Sequence, residues 1–132
     1  MPPDEDRILE ERNADVVTLR FNDPPRRNAM TASMGEAFAA RIAHLAGDPT
    51  LRAVVLTGSG RAFSAGGDLQ MLEERAEQGR AQPGVARYPI RDAMRGFYKL
   101  FLSVRDLPCP TLAAINGHAI GVGVTMILAC DI

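Results

Sequence analysis

AVVLTGSGRAFSAGGDL, residues 53–69, runs from a continuous apolar stretch through a glycine-rich turn into a segment of helical character. TLAAINGHAIGVGVTMI, residues 111–127, repeats that order. A short apolar run ending in glycine is the pattern of a strand buried on both faces. A glycine loop must then carry the chain off the strand end and into a helix. Two such units predict stacked strand-turn-helix repeats arranged as a spiral.

Working outward, DVVTLRFN (15–22) alternates Val17, Leu19 and Phe21 with Thr18 and Arg20, as a half-buried strand does. With RILEER before it and NAD between, a hairpin is expected. NDPPRRNAM has to be loop, because two successive prolines stop both ladder and helix. Met34, Phe38, Ile42 and Leu45 recur at spacings of four, four and three, which predicts a helix over 31–46 that stops at Gly47 and Pro49. Thr31 and a Ser33/Glu36 capping box are equally good starts. QMLEERAEQGR begins helical and is expected to dissolve into a surface loop at GRAQPG. Ile90, Met94, Phe97 and Phe101 predict an amphipathic helix over 91–105. PCPTLAAIN supplies a further buried strand, and VGVTMILAC has too little polarity to face water.

The 132 residues amount to one domain. Hydrophobic residues make up 46% of them, enough for a core, and 15 basic against 16 acidic residues leave a net charge of −1. No basic stripe with interleaved aromatics argues for nucleic acid. The N-terminus carries no leader-like apolar run, and no segment has the length of a membrane span, so a soluble, cytoplasmic protein is expected. Cys109 and Cys130 lack CxxC spacing and read as reduced, buried thiols. The chain stops at ACDI as a new apolar stretch begins, which implies that these residues are the first part of a longer domain.

The glycine loops carry the chemistry. N–H groups in the first turn of a helix have no intrahelical partner and sit at the positive end of its dipole. Two of them converging from different loops on one oxygen form an oxyanion hole. Gly66 and Gly67 permit an unusual backbone path, with Asp68 placed to cap the helix that follows. Gly121 and Gly123 do the same around Val122. Competing chemistries find less support. GSGRAF lacks the third glycine of a dinucleotide fingerprint, there is no Walker motif, and Ser59 and Ser64 are not in GxSxG. Two histidines and no clustered carboxylates offer no metal site. His44 reads as structural, and His118 lies in the loop of interest.

RAFSAGGDL together with PTLAAINGHAIGVGVTMILACDI, preceded by DPPRRNAMT, resembles the enoyl-CoA hydratase/isomerase (crotonase) superfamily over nearly the whole chain. The resemblance implies an α/β crotonase-like spiral of β-β-α repeats, incomplete at its C-terminus, and assembly as trimers or hexamers. It implies an acyl-CoA substrate, with coenzyme A entering as part of that substrate and no prosthetic group. The thioester oxygen would lie between the backbone N–H groups of Ala65 and Val122. The loop carrying Arg26, Arg27, Asn28 and Ala29 would flank the CoA nucleotide, the arginines meeting its phosphates. Ala62, Ser64, Gly66, Gly67, Asp68 and Leu69 would line the adenine and pantetheine path, with Gly121 and Thr125 counted as further substrate-binding residues. Hydratases of this family carry the first of two catalytic glutamates where this chain has Thr125. A threonine does not ionise near neutral pH, so the two-glutamate mechanism is in doubt and the second acid would fall beyond Ile132. The implied activity is hydration or isomerisation of an enoyl-CoA double bond; the alternatives are a non-catalytic CoA-binding or assembly module and an inactive truncated fragment.

Overall fold

The structure, a computed structural model, describes residues 7–132. The reading of residues 1–6 as free of a leader-like run lies outside these. Strands β1 (Ile8–Asn13) and β2 (Val16–Phe21) form the expected hairpin, registered from Ile8↔Phe21 to Asn13↔Val16. Its two-residue turn puts Ala14 at a φ of 52°. Val17, Leu19 and Phe21 are buried while Val16 faces out, the alternation that the sequence shows.

Strand β3 (Ala53–Gly58) pairs parallel with β2, and β5 (Thr111–Ala113) parallel with β3, giving a sheet in the order β1-β2-β3-β5. The expected strand in PCPTLAAIN contracts to three residues. After Ala113 the chain leaves the ladder: Ala114 N–H still reaches Leu56 C=O at 2.8 Å, and the Asn116–Gly117 turn follows. A second, two-stranded parallel sheet holds β4 (Ala62–Ser64) and β6 (His118–Ala119). Each of its strands follows a strand of the first sheet after a short turn. Each then feeds a helix, α2 (Leu69–Ala81) after β4 and α4 (Val122–Ala129) after β6. The two ββα units are the predicted repeats of the spiral.

Helices α1 (Ala32–Ala46) and α3 (Arg87–Leu102) close the core. Met34, Phe38, Ile42 and Leu45 of α1 are buried as their spacing requires. Phe21 stands 5.5 Å from Phe38 and 5.6 Å from Phe63, and Phe101 stands 6.2 Å from Phe38 and 5.1 Å from Phe97. Rings from β2, α1, β4 and α3 therefore meet, and burial of each contributes about 1.5–3 kcal/mol. Thr31 is the N-cap of α1, its Oγ1 accepting from Met34 N–H at 3.1 Å, so the Ser33/Glu36 box does not form.

Three expectations are corrected. Helix α2 continues through Gly79 and Arg80 instead of dissolving there. Helix α3 begins four residues before the expected 91, because Pro89 falls in the first turn, where no N–H is needed; the 3-10 turn Ser103–Asp106 follows it. Helix α4 is not shielded all round. Val122, Gly123 and Met126 are buried, with Gly123 so close to β4 that an added Cβ would lie 3.1 Å from Ser64 Cβ, but Val124 is 39% and Leu128 79% exposed.

Candidate functional site

The loop 22–30 is the foundation of the site. After Pro24–Arg26 makes one 3-10 turn, Arg27 and Asn28 both take left-handed φ values, 52° and 56°. Asparagine tolerates that region better than most residues. Asn28 is fully buried, and its side chain works on both ends: Oδ1 accepts from Asp23 N–H at 2.8 Å, and Nδ2 donates to the carbonyls of Ser59 and Ala62, each at 2.9 Å. Asn116, in the turn after β5, reaches the same segment. Its Oδ1 accepts from Gly58 N–H at 3.0 Å, and its Nδ2 donates to Gly60 and Ala62 carbonyls, each at 3.0 Å. Sequence reasoning placed Asn28 in the nucleotide-flanking loop without its structural role, and it did not single out Asn116. The signals available were the polar residue after a Pro-Pro turn and the Asn-Gly dipeptide.

Residues 64–68 are zipped to this loop. Ser64 Oγ donates to Asn28 C=O at 2.8 Å and accepts from Gly66 N–H at 3.0 Å. Its hydroxyl is buried and fully used, so the expected role of Ser64 in lining a substrate path is corrected to a structural one. Ala65 N–H donates to Arg27 C=O at 2.9 Å. That amide, expected to face the thioester, is therefore already paired. Met30 then bridges Gly67: Met30 N–H donates to Gly66 C=O at 2.7 Å, and Asp68 N–H donates to Met30 C=O at 3.0 Å. In this parallel arrangement the N–H of Gly67 itself points away from Met30, and it has no acceptor among the described residues.

The second turn supplies a matching amide. Gly121, at φ 55° and ψ −121°, turns the chain into α4. Gly123 N–H goes to Ile120 C=O, and Val124 and Thr125 N–H go to Gly121 C=O. Val122 N–H is left without an acceptor among the described residues, at the positive end of α4. The two turns touch. Ile120 N–H donates to Ser64 C=O at 3.1 Å, and a Cβ on Gly66 would lie 2.7 Å from Ile120 O and 3.7 Å from Gly121 Cα. Gly66 at φ 89° permits an approach that an L side chain would block.

A cleft of about 170 Å³ opens beside these turns, lined by Arg27, Ala62, Ala65, His118 and Ile120. Arg27 is exposed, lines the cleft and has no ion pair shown among the described residues. Arg26 differs from the expectation that it is free for phosphate. Its Nε donates to Asp23 Oδ2 at 2.7 Å, and its Nη1 lies 3.7 Å from Asp68 Oδ1. Asp68 caps α2 by accepting from Met71 N–H at 3.2 Å. Ala29 is half-buried, and Leu69 is 74% exposed at the start of α2. Met71 and Leu72 stand over Gly67, 3.6 and 3.8 Å from where its Cβ would be.

Thr125 donates weakly to Gly121 C=O, at 3.4 Å, and lines a second cleft with Leu102, Arg105, Leu128, Ala129 and Asp131. Asp131 is the carboxylate of that cleft. It accepts from Thr111 N–H at 2.8 Å and Thr111 Oγ1 at 3.0 Å, bonds that hold its pKa below the usual carboxylate value. An acid kept ionised by two donors is a poor proton carrier near neutral pH. His44, expected to be structural, is exposed on α1, and its carbonyl accepts from Gly47 N–H.

The sequence model of the family described as enoyl-CoA hydratase/isomerase matches residues 11–132. A relative named probable enoyl-CoA hydratase, from Mycobacterium tuberculosis, is 38% identical over 127 residues, covering 96% of this chain and 46% of its own length. The mitochondrial Δ(3,5)-Δ(2,4)-dienoyl-CoA isomerase of Rattus norvegicus is 36% identical over 121 residues, covering 89% and 36%. A Thermobifida fusca chain solved in complex with CoA superposes with a TM-score of 0.74 at 32% identity, covering 97% of this chain and 48% of that one. The chain thus spans about half or less of the length of the relatives it matches.

Proposed function

The chain belongs to the enoyl-CoA hydratase/isomerase family, and we propose that it binds an enoyl-CoA with the thioester oxygen between the N–H groups of Gly67 and Val122. The observation that carries this reading is the pair of unpaired amides on two turns in backbone contact. Val122 is buried and Gly67 half-buried; amides in such places usually find an acceptor, so two left open on touching turns are available to donate to a ligand oxygen. An oxygen that gains charge as the thioester becomes an enolate draws most from preorganised donors; loss of one such donor costs roughly 3–4 kcal/mol of transition-state stabilisation. Gly67 replaces Ala65 in this pair because the Ala65 amide is bonded to Arg27.

Arg27, exposed at the cleft mouth, is the cation best placed to meet CoA phosphates. The reaction we assign is hydration or isomerisation of the double bond, with trimeric or hexameric assembly in the cytoplasm as in the resemblance above. Thr125 does not ionise near neutral pH, so the group that moves the proton is not assigned to any described residue. The same fact favours a second reading, a CoA-binding module that polarises the thioester without turnover.

The test is a carbon-13 NMR spectrum of the purified chain with a carbonyl-labelled 2-enoyl-CoA, followed over time. A downfield carbonyl shift supports the two-amide site. Product formation selects the enzyme and its absence selects the binding module. Binding with no carbonyl shift, or no binding, overturns the proposal.

A further inference from the structure

We propose that Arg26 is a positioning residue that holds the Gly67 amide in place, while its neighbour Arg27 alone faces the ligand. The inference rests on the assignment of Gly67 N–H to the thioester oxygen. Asp23 is a buried carboxylate, 2% exposed, and an ionised carboxylate in that setting requires a partner. Arg26 is that partner: its Nε and Nη2 converge on Asp23 Oδ2 at 2.7 and 2.6 Å. The third nitrogen, Nη1, is turned toward Asp68 Oδ1 at 3.7 Å. The other oxygen of Asp68 caps α2 through Met71 N–H. One guanidinium therefore ties a buried anion of the first loop to the capping anion of α2, and Asp68 is the residue next to Gly67.

The adjacent arginines divide the work. Arg27 fixes Ala65 through its main-chain carbonyl, and the Arg26 side chain faces Asp68 at ion-pair distance, 3.7 Å. Between these two fixed points lie Gly66 and Gly67, which have the widest backbone freedom of any residue. Met30 adds bonds to Gly66 C=O and Asp68 N–H but none to Gly67 N–H, so the direction of that amide follows from the anchoring of its neighbours. A planar fork suits this task, since it addresses two carboxylates at fixed angles, and a lysine ammonium does not.

The experiment uses the nitrogen-15-labelled chain with Arg26→Gln, Arg26→Lys, Asp68→Asn and Arg27→Gln. In ligand-free protein, Arg26→Gln is expected to move the Gly67 and Met71 amide resonances and to speed Met71 amide exchange roughly three- to tenfold, as local opening becomes easier. Asp68→Asn, which keeps a capping side chain but removes the charge, is expected to move Gly67 in the same direction. Arg26→Lys restores the wild-type resonances only in part. With a carbonyl-labelled 2-enoyl-CoA, Arg26→Gln reduces the carbonyl shift at nearly unchanged affinity, whereas Arg27→Gln lowers affinity and leaves the carbonyl shift of the bound ligand intact. Unmoved Gly67 and Met71 resonances in Arg26→Gln overturn the proposal. So does an affinity loss in Arg26→Gln equal to that of Arg27→Gln with the carbonyl shift retained. If the wild-type chain binds no acyl-CoA, the proposed function fails, and the ligand-free resonances still decide the role of Arg26.

Discussion

Asn28 and Asn116 donate to one acceptor, the carbonyl of Ala62, from two separate loops at 2.9 and 3.0 Å. The loop before α1 and the turn after β5 are thereby held to the same point of β4, from which the chain runs on to the glycine pair of the site.

Replacing either asparagine with alanine leaves buried or half-buried backbone groups unsatisfied, at about 1–3 kcal/mol each. Asn28→Ala is expected to cost more than Asn116→Ala, because Asn28 is fully buried and also serves Asp23 N–H. Since both donate to one oxygen, each single variant leaves the Ala62 carbonyl with its other donor, and the double variant should lose more than the sum of the singles by about 0.5 kcal/mol or more. Urea unfolding of the four proteins checks this, and strict additivity counts against a shared acceptor.

Gly66→Ala places a Cβ 2.7 Å from Ile120 O at a φ of 89°. The strained backbone alone costs on the order of 1–3 kcal/mol, and the contact must be relieved by pushing the two turns apart. Thermal unfolding should fall accordingly, and the carbonyl shift of a bound 2-enoyl-CoA should vanish. A variant as stable as wild type with an unchanged shift would contradict the close approach of the turns.

The Asp48 pKa is lowered to about 2, chiefly by hydrogen bonds from the Thr50 side chain and backbone N–H, with Arg12 contributing. A carboxyl whose folded value lies below its unfolded value of 3.8 stabilises the fold above that unfolded value, and the contribution disappears as pH falls toward about 2. Asp131 acts in the same direction through Thr111. The acid limb of stability against pH should therefore be shallower in Asp48→Asn than in wild type between about pH 4 and about pH 2. Identical acid limbs would remove Asp48 from the account.

Burial raises the thiol pKa of both Cys109 and Cys130, with the charge of Asp131 adding to the rise. The thiolate is the reactive form, so both residues should alkylate more slowly at neutral pH than a free cysteine and catch up as pH rises. Iodoacetamide labelling followed by mass spectrometry gives the rates. Labelling at the rate of free cysteine in folded protein would show that the thiols are not shielded.

The periodic elements were legible in the sequence because burial has a period: Val17, Leu19 and Phe21 alternate, and Met34, Phe38, Ile42 and Leu45 recur once per turn. The two glycine units were legible for the same local reason, since only a small set of residues lets a strand end turn directly into a helix. The resemblance they carry brought the family and the spiral with it. Helix ends were less legible, because Pro89 and Gly79 weaken a helix in general but cost little at a first or last turn. What only the tertiary structure decided is which amide is free and which arginine is available. Ala65 N–H is lost to Arg27 C=O, and the Arg26 side chain to Asp23 and Asp68, through partners distant in sequence or set by a turn no spacing reveals. A motif states which backbone groups are capable of binding. Hydrogen bonding is saturable, so the identity of the donors left over depends on every other group the fold brings within reach.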